Sequence, residues 1–187
     1  MYGNMNGWYW QPGESDAKIT NNGWFWHSGE TLLSTERLFQ MYLETVGRNA
    51  TLILNCPPDK SGSLPTATVN RLKELGKMLK TRLQGNDYAK TANAIEADVT
   101  RDAGTGRSFN IENVVDGDFA TYWATNDGVN QATITFKWND VQPIRYVVLQ
   151  EHIQLGQRVK SFSIETSRDG VNWTKRGGNI ATTTIGY

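Results

Sequence analysis

The sequence predicts two unlike modules in tandem, a βα-repeat segment over residues 1–88 and an antiparallel β-sandwich over residues 89–187, neither of them complete. Three observations carry this. Apolar residues recur twice at helical spacing in the first half, on either side of a short run that is apolar on both faces. After residue 88 the texture changes to short alternating runs divided by Asp-Gly turn signals. Two βα units also fall far short of the roughly 250 residues that close an eight-stranded barrel, and Thr184-Ile185-Gly186-Tyr187 reads as the middle of a strand. The expectation is a piece of a longer protein.

Each element has its own signal. Gly29-Glu30-Thr31 lead into a helix with Leu38, Met41, Tyr42 and Val46 on one face, and Gly47 is placed to stop it. Ala50–Asn55 follows as a short, nearly continuous apolar run closed by Pro57-Pro58, the pattern of a buried parallel strand. Pro65 opens a second helix at a position where its missing N–H costs nothing. Val69, Leu72, Leu75, Met78, Leu79 and Leu83 line its apolar face. Gln84–Ala97 is small and polar, a linker or an entry strand. Alternating runs then stand at Ala132–Trp138, Ile144–Gln150 and Ser161–Thr166, with turns at Asn126-Asp127-Gly128 and Arg168-Asp169-Gly170.

Composition narrows the function. Nineteen basic and nineteen acidic side chains cancel, and no basic block points to nucleic acid. No apolar run approaches the roughly 18 residues of a membrane span. Met1-Tyr2-Gly3-Asn4 has neither the basic nor the apolar region of a leader peptide. Cys56 is the single cysteine, so an intrachain disulfide is impossible, and it reads as an inert packed thiol. Seven tryptophans are many for 187 residues. Most are expected in the core, and the remainder suit the flat C–H faces of sugars.

The stretch QPGESDAKITNNGWFWH sets two carboxylates, Glu14 and Asp16, just ahead of an aromatic cluster. Retaining glycoside hydrolysis needs two carboxyl groups about 5–5.5 Å apart on either side of the scissile bond. Residues i and i+2 of an extended segment lie about 6.6 Å apart but point to one side. Geometry therefore demotes the pair from catalysis. Asp16 reads as an acceptor for loop N–H groups, and His27 as a buried, hydrogen-bonded imidazole rather than a general base. Asn55 and Asp59 sit where a parallel strand ends, the edge that carries active sites in such folds. No Cys/His cluster suits zinc. Asp116, Asp118 and Thr121, around Gly117, offer hard oxygens of the kind Ca²⁺ takes, or else a plain turn.

WQPGESDAKITNNGWFWH followed by GRNATLILNCPPDKSG resembles the C-terminal part of the catalytic barrel of α-L-fucosidases, glycoside hydrolase family 29, over about residues 7–86. NVVDGDFATYWAT, VVLQEHIQLGQRVKSFSIE and SRDGVNW are similar to a discoidin-like domain (coagulation factor 5/8 type C, galactose-binding-like) over about residues 95–187. The resemblance implies the last βα units of a (β/α)8 TIM barrel followed by a jelly-roll sandwich truncated at its C-terminus. It implies a retaining exo-α-L-fucosidase acting on fucosylated glycans, periplasmic or secreted in a bacterium. Its Asp nucleophile and Glu acid/base would lie upstream, outside this chain. It implies Trp24 as the wall beside the fucose methyl and Glu14 as a supporting substrate-binding residue. In the second module it implies His152, Arg158 and Trp123 as sugar-binding groups, and a structural Ca²⁺ at Asp116, Asp118 and Thr121. The alternative is a lectin-like discoidin-type protein without catalysis.

Overall fold

A computed structural model describes residues 11, 13–83, 85–102, 104, 108–156 and 158–181. Trp10 and Pro12 of the opening motif, Gln157, and the closing run 184–187 lie outside the described residues. The chain divides into two compact units. One holds the residues up to 85 together with 149–162 and 179–181, and the other holds 86–148 and 163–178.

In the first unit β1 (Gly13–Lys18), α1 (Thr35–Thr45), β2 (Ala50–Asn55) and α2 (Thr66–Leu83) follow one another as two βα repeats. β1 and β2 pair in parallel, with Glu14 opposite Thr51, Asp16 opposite Ile53 and Lys18 opposite Asn55. Alternation along both strands divides the pair into two faces. Ser15, Ala17, Ala50, Leu52 and Leu54 turn toward the helices, whereas Glu14, Asp16, Thr51 and Ile53 stand on the other face. The β2 run is apolar on both faces as expected, yet only its helix side is covered among the described residues, and Ile53 remains 46% exposed.

Ile19, Leu38, Phe39 and Leu75 form the core, flanked by half-buried Leu32, Leu33, Leu54, Leu72, Met78 and Leu79. α1 begins at Ser34, whose hydroxyl accepts from the Arg37 N–H at 3.1 Å and so caps an otherwise unpaired donor. Its buried face is centred on Leu38 and Phe39 rather than on the expected Leu38, Met41, Tyr42 and Val46 stripe. Two adjacent positions go inward because α1 packs against both the strand pair and α2. The Arg82 guanidinium of α2 covers the Phe39 ring at 4.9 Å and pairs with Glu36 at 3.0 Å. A short 3-10 turn, Val46–Arg48, takes the place of a stop at Gly47, and Asn49 in the left-handed region (φ 62°) turns the chain into β2. α2 starts directly after Pro65, as its sequence predicts.

The second half of the chain is built from short pieces. β3 (Ala94–Ala97) pairs antiparallel with β4 (Ile134–Lys137), fulfilling the entry-strand reading and the alternating run near 132–138. β5 (Ser161–Thr166) pairs with β6 (Thr174–Ala181) across the Arg168-Asp169-Gly170 turn. The expected strand Ile144–Gln150 does not form: these residues belong to no β-ladder, and Val147 and Val148 are exposed. A strand is defined by a partner's backbone, and no described segment supplies one there. Tryptophan placement also differs from expectation. None of the described tryptophans is fully buried. Trp123 and Trp138 instead use their indole N–H on Thr100 Oγ1 (3.3 Å) and the Tyr88 carbonyl (2.8 Å), which keeps the rings at the rim of small cores.

Asp169 closes the β5–β6 turn with its carboxylate. The Asn172 side-chain amide (2.7 Å), the backbone N–H groups of Asn172 and Val171, and the Ser167 hydroxyl all donate to it. These donors hold its carboxyl far below the usual carboxylate range. The turn's contribution to stability is therefore complete above the unfolded Asp value of about 3.9 and is lost as the pH falls below it. The melting-temperature gap between the wild-type chain and Asp169→Asn should narrow on acidification below about pH 4; a gap that does not change with pH would refute this assignment. Phe39→Ala should destabilise the first unit by about 3–5 kcal/mol. Urea unfolding followed by far-ultraviolet circular dichroism measures that loss, and a shift of only a few tenths would show that Phe39 does not organise the core.

Candidate active-site edge and its relatives

Because β1 and β2 are parallel, both chains leave the pair at one edge, and the two following loops meet there. The loop after β1 is closed at its base by the Thr20–Leu32 bridge and by Leu33 N–H donating to the Ile19 carbonyl at 2.8 Å. The last rung of the parallel ladder, Lys18 opposite Asn55, then anchors the loop interior. Lys18 Nζ donates to the Asn22 carbonyl at 2.6 Å, and Asn55 Nδ2 donates to the Trp24 carbonyl at 2.7 Å. Between them Thr20 Oγ1 donates to the Gly23 carbonyl at 2.5 Å. Three consecutive carbonyls, those of Asn22, Gly23 and Trp24, are thus held where the aromatic cluster begins.

The loop after β2 is organised by Asp59, whose carboxylate accepts from the Ser61 hydroxyl (2.6 Å) and the Ser61 N–H (2.8 Å). These bonds lower its pKa from the ordinary Asp value. Phe25, Trp26 and His27 from the first loop and Pro57, Pro58 and Asp59 from the second line a shallow open depression. An apolar, aromatic floor with a carboxylate at its rim suits a ligand that carries both C–H faces and hydroxyl groups.

Trp24 is 46% exposed and sits at the start of this cluster, but the depression itself is walled by its neighbours Phe25 and Trp26. Glu14 lies near the start of β1, outside the lining of the depression. Asp16 does not accept loop N–H groups among the described residues; strand alternation points it away from the loop, to the face it shares with Glu14. His27 is exposed instead of buried. Its backbone N–H donates to Glu30 Oε2 at 3.3 Å, leaving the ring at the rim. Cys56 packs against the core as expected, and burial raises its thiol pKa.

In the second unit Trp123 is half-buried. His152 and Arg158 belong to the first unit, on a loop held by Glu151, whose Oε1 accepts the N–H groups of Arg158 (2.7 Å) and Val159 (2.8 Å). The Arg158 guanidinium is folded back on the Leu155 carbonyl. Asp116, Asp118 and Thr121 do come together. Thr121 Oγ1 donates to Asp116 Oδ2 at 2.5 Å, and the Asp118 N–H donates to Asp116 Oδ1 at 2.8 Å. The Thr121 hydroxyl, the Asp118 N–H and the nearby Lys90 ammonium lower the Asp116 pKa.

Residues 91–186 match the F5/8 type C domain family, and residues 3–84 match the α-L-fucosidase family. The chain belongs to the F5/8 type C domain family through its second half, and its first half is similar to the α-L-fucosidase family. A Ruminococcus gnavus GH29 fucosidase solved in complex with fucose superposes with a TM-score of 0.81 at 32% identity, over 96% of this chain and 35% of that one. The Arabidopsis thaliana protein named α-L-fucosidase 1 is 30% identical over 96% of this chain. The chain spans about a third of the length of such a curated relative, 31%. Within the segment that matches the α-L-fucosidase family, the sequence identified the aromatic loop but not Phe25, Trp26 and Pro57 as lining residues. A signal was available for Pro57, which closely follows the end of β2; Phe25 and Trp26 lie well beyond the end of β1, inside its loop.

Proposed function

We propose that the chain is part of a retaining exo-α-L-fucosidase that removes terminal α-L-fucose from glycans. The observation that carries this is the aromatic depression at the C-terminal edge of a parallel strand pair, in a segment of the α-L-fucosidase family. Fucose is a 6-deoxy sugar, and its methyl group and C–H face match an aromatic wall, while its hydroxyl groups require polar partners at the rim. Phe25 and Trp26 line the depression, and Trp24, exposed beside them, is the proposed contact for the fucose methyl. Glu14 supports the site from β1. The catalytic carboxylates are supplied by other strands of the parent enzyme, because Glu14 and Asp16 share one strand and one face. The second half serves as a carbohydrate-binding-like module; Trp123 on the one hand, and His152 and Arg158 on the Glu151 loop on the other, are separate candidate sugar-binding groups. The parent enzyme works in the periplasm or outside the cell, where such glycans are met; no helix among the described residues is long and apolar enough to cross a membrane.

The purified chain should release no p-nitrophenol from p-nitrophenyl α-L-fucoside. Saturation-transfer NMR should nevertheless show contact at the fucose C6 methyl, and Trp24→Ala should abolish it. Measurable hydrolysis would place the catalytic pair inside this chain. Contact with galactose but none with fucose would favour the lectin alternative.

We further propose a structural Ca²⁺ at the 116–121 loop. Two carboxylates and a hydroxyl are hard donors of the correct kind, but they are fewer than the six to eight oxygens the ion takes, so other residues must complete the shell. Millimolar Ca²⁺ should raise the melting temperature relative to chelator-treated protein, and Asp116→Asn should remove the rise. Identical melting with and without Ca²⁺ would dismiss the site.

A further inference from the structure

We infer that Asn22-Gly23 is a spontaneous deamidation and isoaspartate-forming site, a built-in point of chemical ageing at the entrance to the aromatic loop. Conversion of an asparagine requires the following backbone nitrogen to reach its side-chain carbonyl carbon, which is easiest when the next residue lacks a Cβ. Asn22 is exposed, and its side-chain amide makes no hydrogen bond among the described residues. The Gly23 N–H likewise donates none there, so the nucleophile is not tied up.

The neighbours show what protection looks like. Asn21 has its side-chain nitrogen on Thr31 Oγ1 (2.9 Å) and the Leu32 carbonyl (3.2 Å), and a residue with a Cβ follows it. At Asp169-Gly170 the glycine N–H is committed to Ser167 Oγ at 2.9 Å, and the carboxylate is filled by donors. Asn55 is fixed on the Trp24 carbonyl. Asn22-Gly23 combines a free side chain, a free nucleophile and a missing Cβ.

The chemistry balances without any oxidant. The Gly23 nitrogen loses its proton to solvent base and attacks Cγ of Asn22. The new N–Cγ bond forms as the Cγ–Nδ2 bond breaks, and ammonia leaves with a proton. The resulting succinimide takes up one water. Opening at the N–Cγ bond gives aspartate, and opening at the original peptide bond gives isoaspartate, which routes the main chain through the side-chain carbon. Either product adds a negative charge beside Lys18, and isoaspartate also lengthens the backbone by a methylene. In isoaspartate the Asn22 carbonyl that Lys18 holds leaves the main chain and becomes the free carboxylate, while the Trp24 carbonyl held by Asn55 lies beyond the added methylene. The spacing of the two anchors along the loop is thereby changed. Any loss of sugar contact that follows rests on the fucosidase reading above; the modification does not.

The test is peptide mapping of the folded chain held in mildly alkaline buffer, with a urea-unfolded sample in parallel. The tryptic peptide between Lys18 and Arg37 carries Asn21 and Asn22 together, and fragmentation separates them. The peptide with Asn6-Gly7 is scored separately. Asn22 in the folded chain should gain the mass of an amide-to-acid conversion and become a substrate for isoaspartyl methyltransferase, at a rate within a few-fold of the unfolded sample. Asn21 and Asn55 should stay intact, and Gly23→Ala should slow conversion by roughly an order of magnitude. A folded chain that keeps Asn22 as the amide while the unfolded sample converts would overturn the proposal, as would equal conversion at Asn21. No sugar enters this measurement, so its failure is distinct from failure of the fucosidase reading.

Discussion

The parallel register of β1 and β2 is the constraint on which the first unit depends. Parallel pairing forces a crossover, and α1 supplies it on the same side as α2, so a single core of Ile19, Leu38, Phe39 and Leu75 serves both helices. It also brings two loops to one edge. An antiparallel pair would have sent them to opposite ends, and the aromatic residues of one loop would never have met the prolines of the other. The final rung then does a second job. Lys18 and Asn55 lie on the face away from the helices, and their side chains reach past the end of the ladder to hold loop carbonyls.

The second unit reaches order by a different route. Its strands are short, and carboxylate-capped turns carry much of its definition. Asp116, Asp118 and Asp169 each accept backbone N–H groups two or three residues ahead, the local bonding that makes Asp a turn residue. These turns form from adjacent residues and need little core. The same locality explains how the Asp169 turn can be well organised although the apolar residues of 144–148 stay exposed.

Local signals were legible in the sequence, and relational ones were not. Pro65 as the start of α2, the span of β5 and the Asp169-Gly170 turn each depend on neighbours along the chain. The inward face of α1 depends on where α2 lies, so periodicity placed Leu38 correctly but missed Phe39. The run Ile144–Gln150 has strand composition, but composition cannot supply a partner strand. The site divides the same way. The aromatic loop was visible as GWFWH, and the demotion of Glu14 and Asp16 followed from strand alternation alone. That His27 would be exposed was not visible, because its backbone, rather than its ring, is what Glu30 engages.

The separation between support and chemistry follows from the same alternation. Glu14 and Asp16 occupy β1 opposite Thr51 and Ile53, below the final rung, and both project to one face. The aromatic depression lies beyond that rung, between the loops. Neither Glu14 nor Asp16 lines it, and the one carboxylate at its rim is that of Asp59. Flanking a glycosidic bond requires groups that approach from different strands, the arrangement a closed ring of parallel strands provides and a two-stranded pair cannot. What β1 and β2 can do alone is fix the position of an apolar wall. The carbonyl anchors from Lys18, Thr20 and Asn55 do that by holding the main chain of residues 22–24 directly ahead of Phe25 and Trp26.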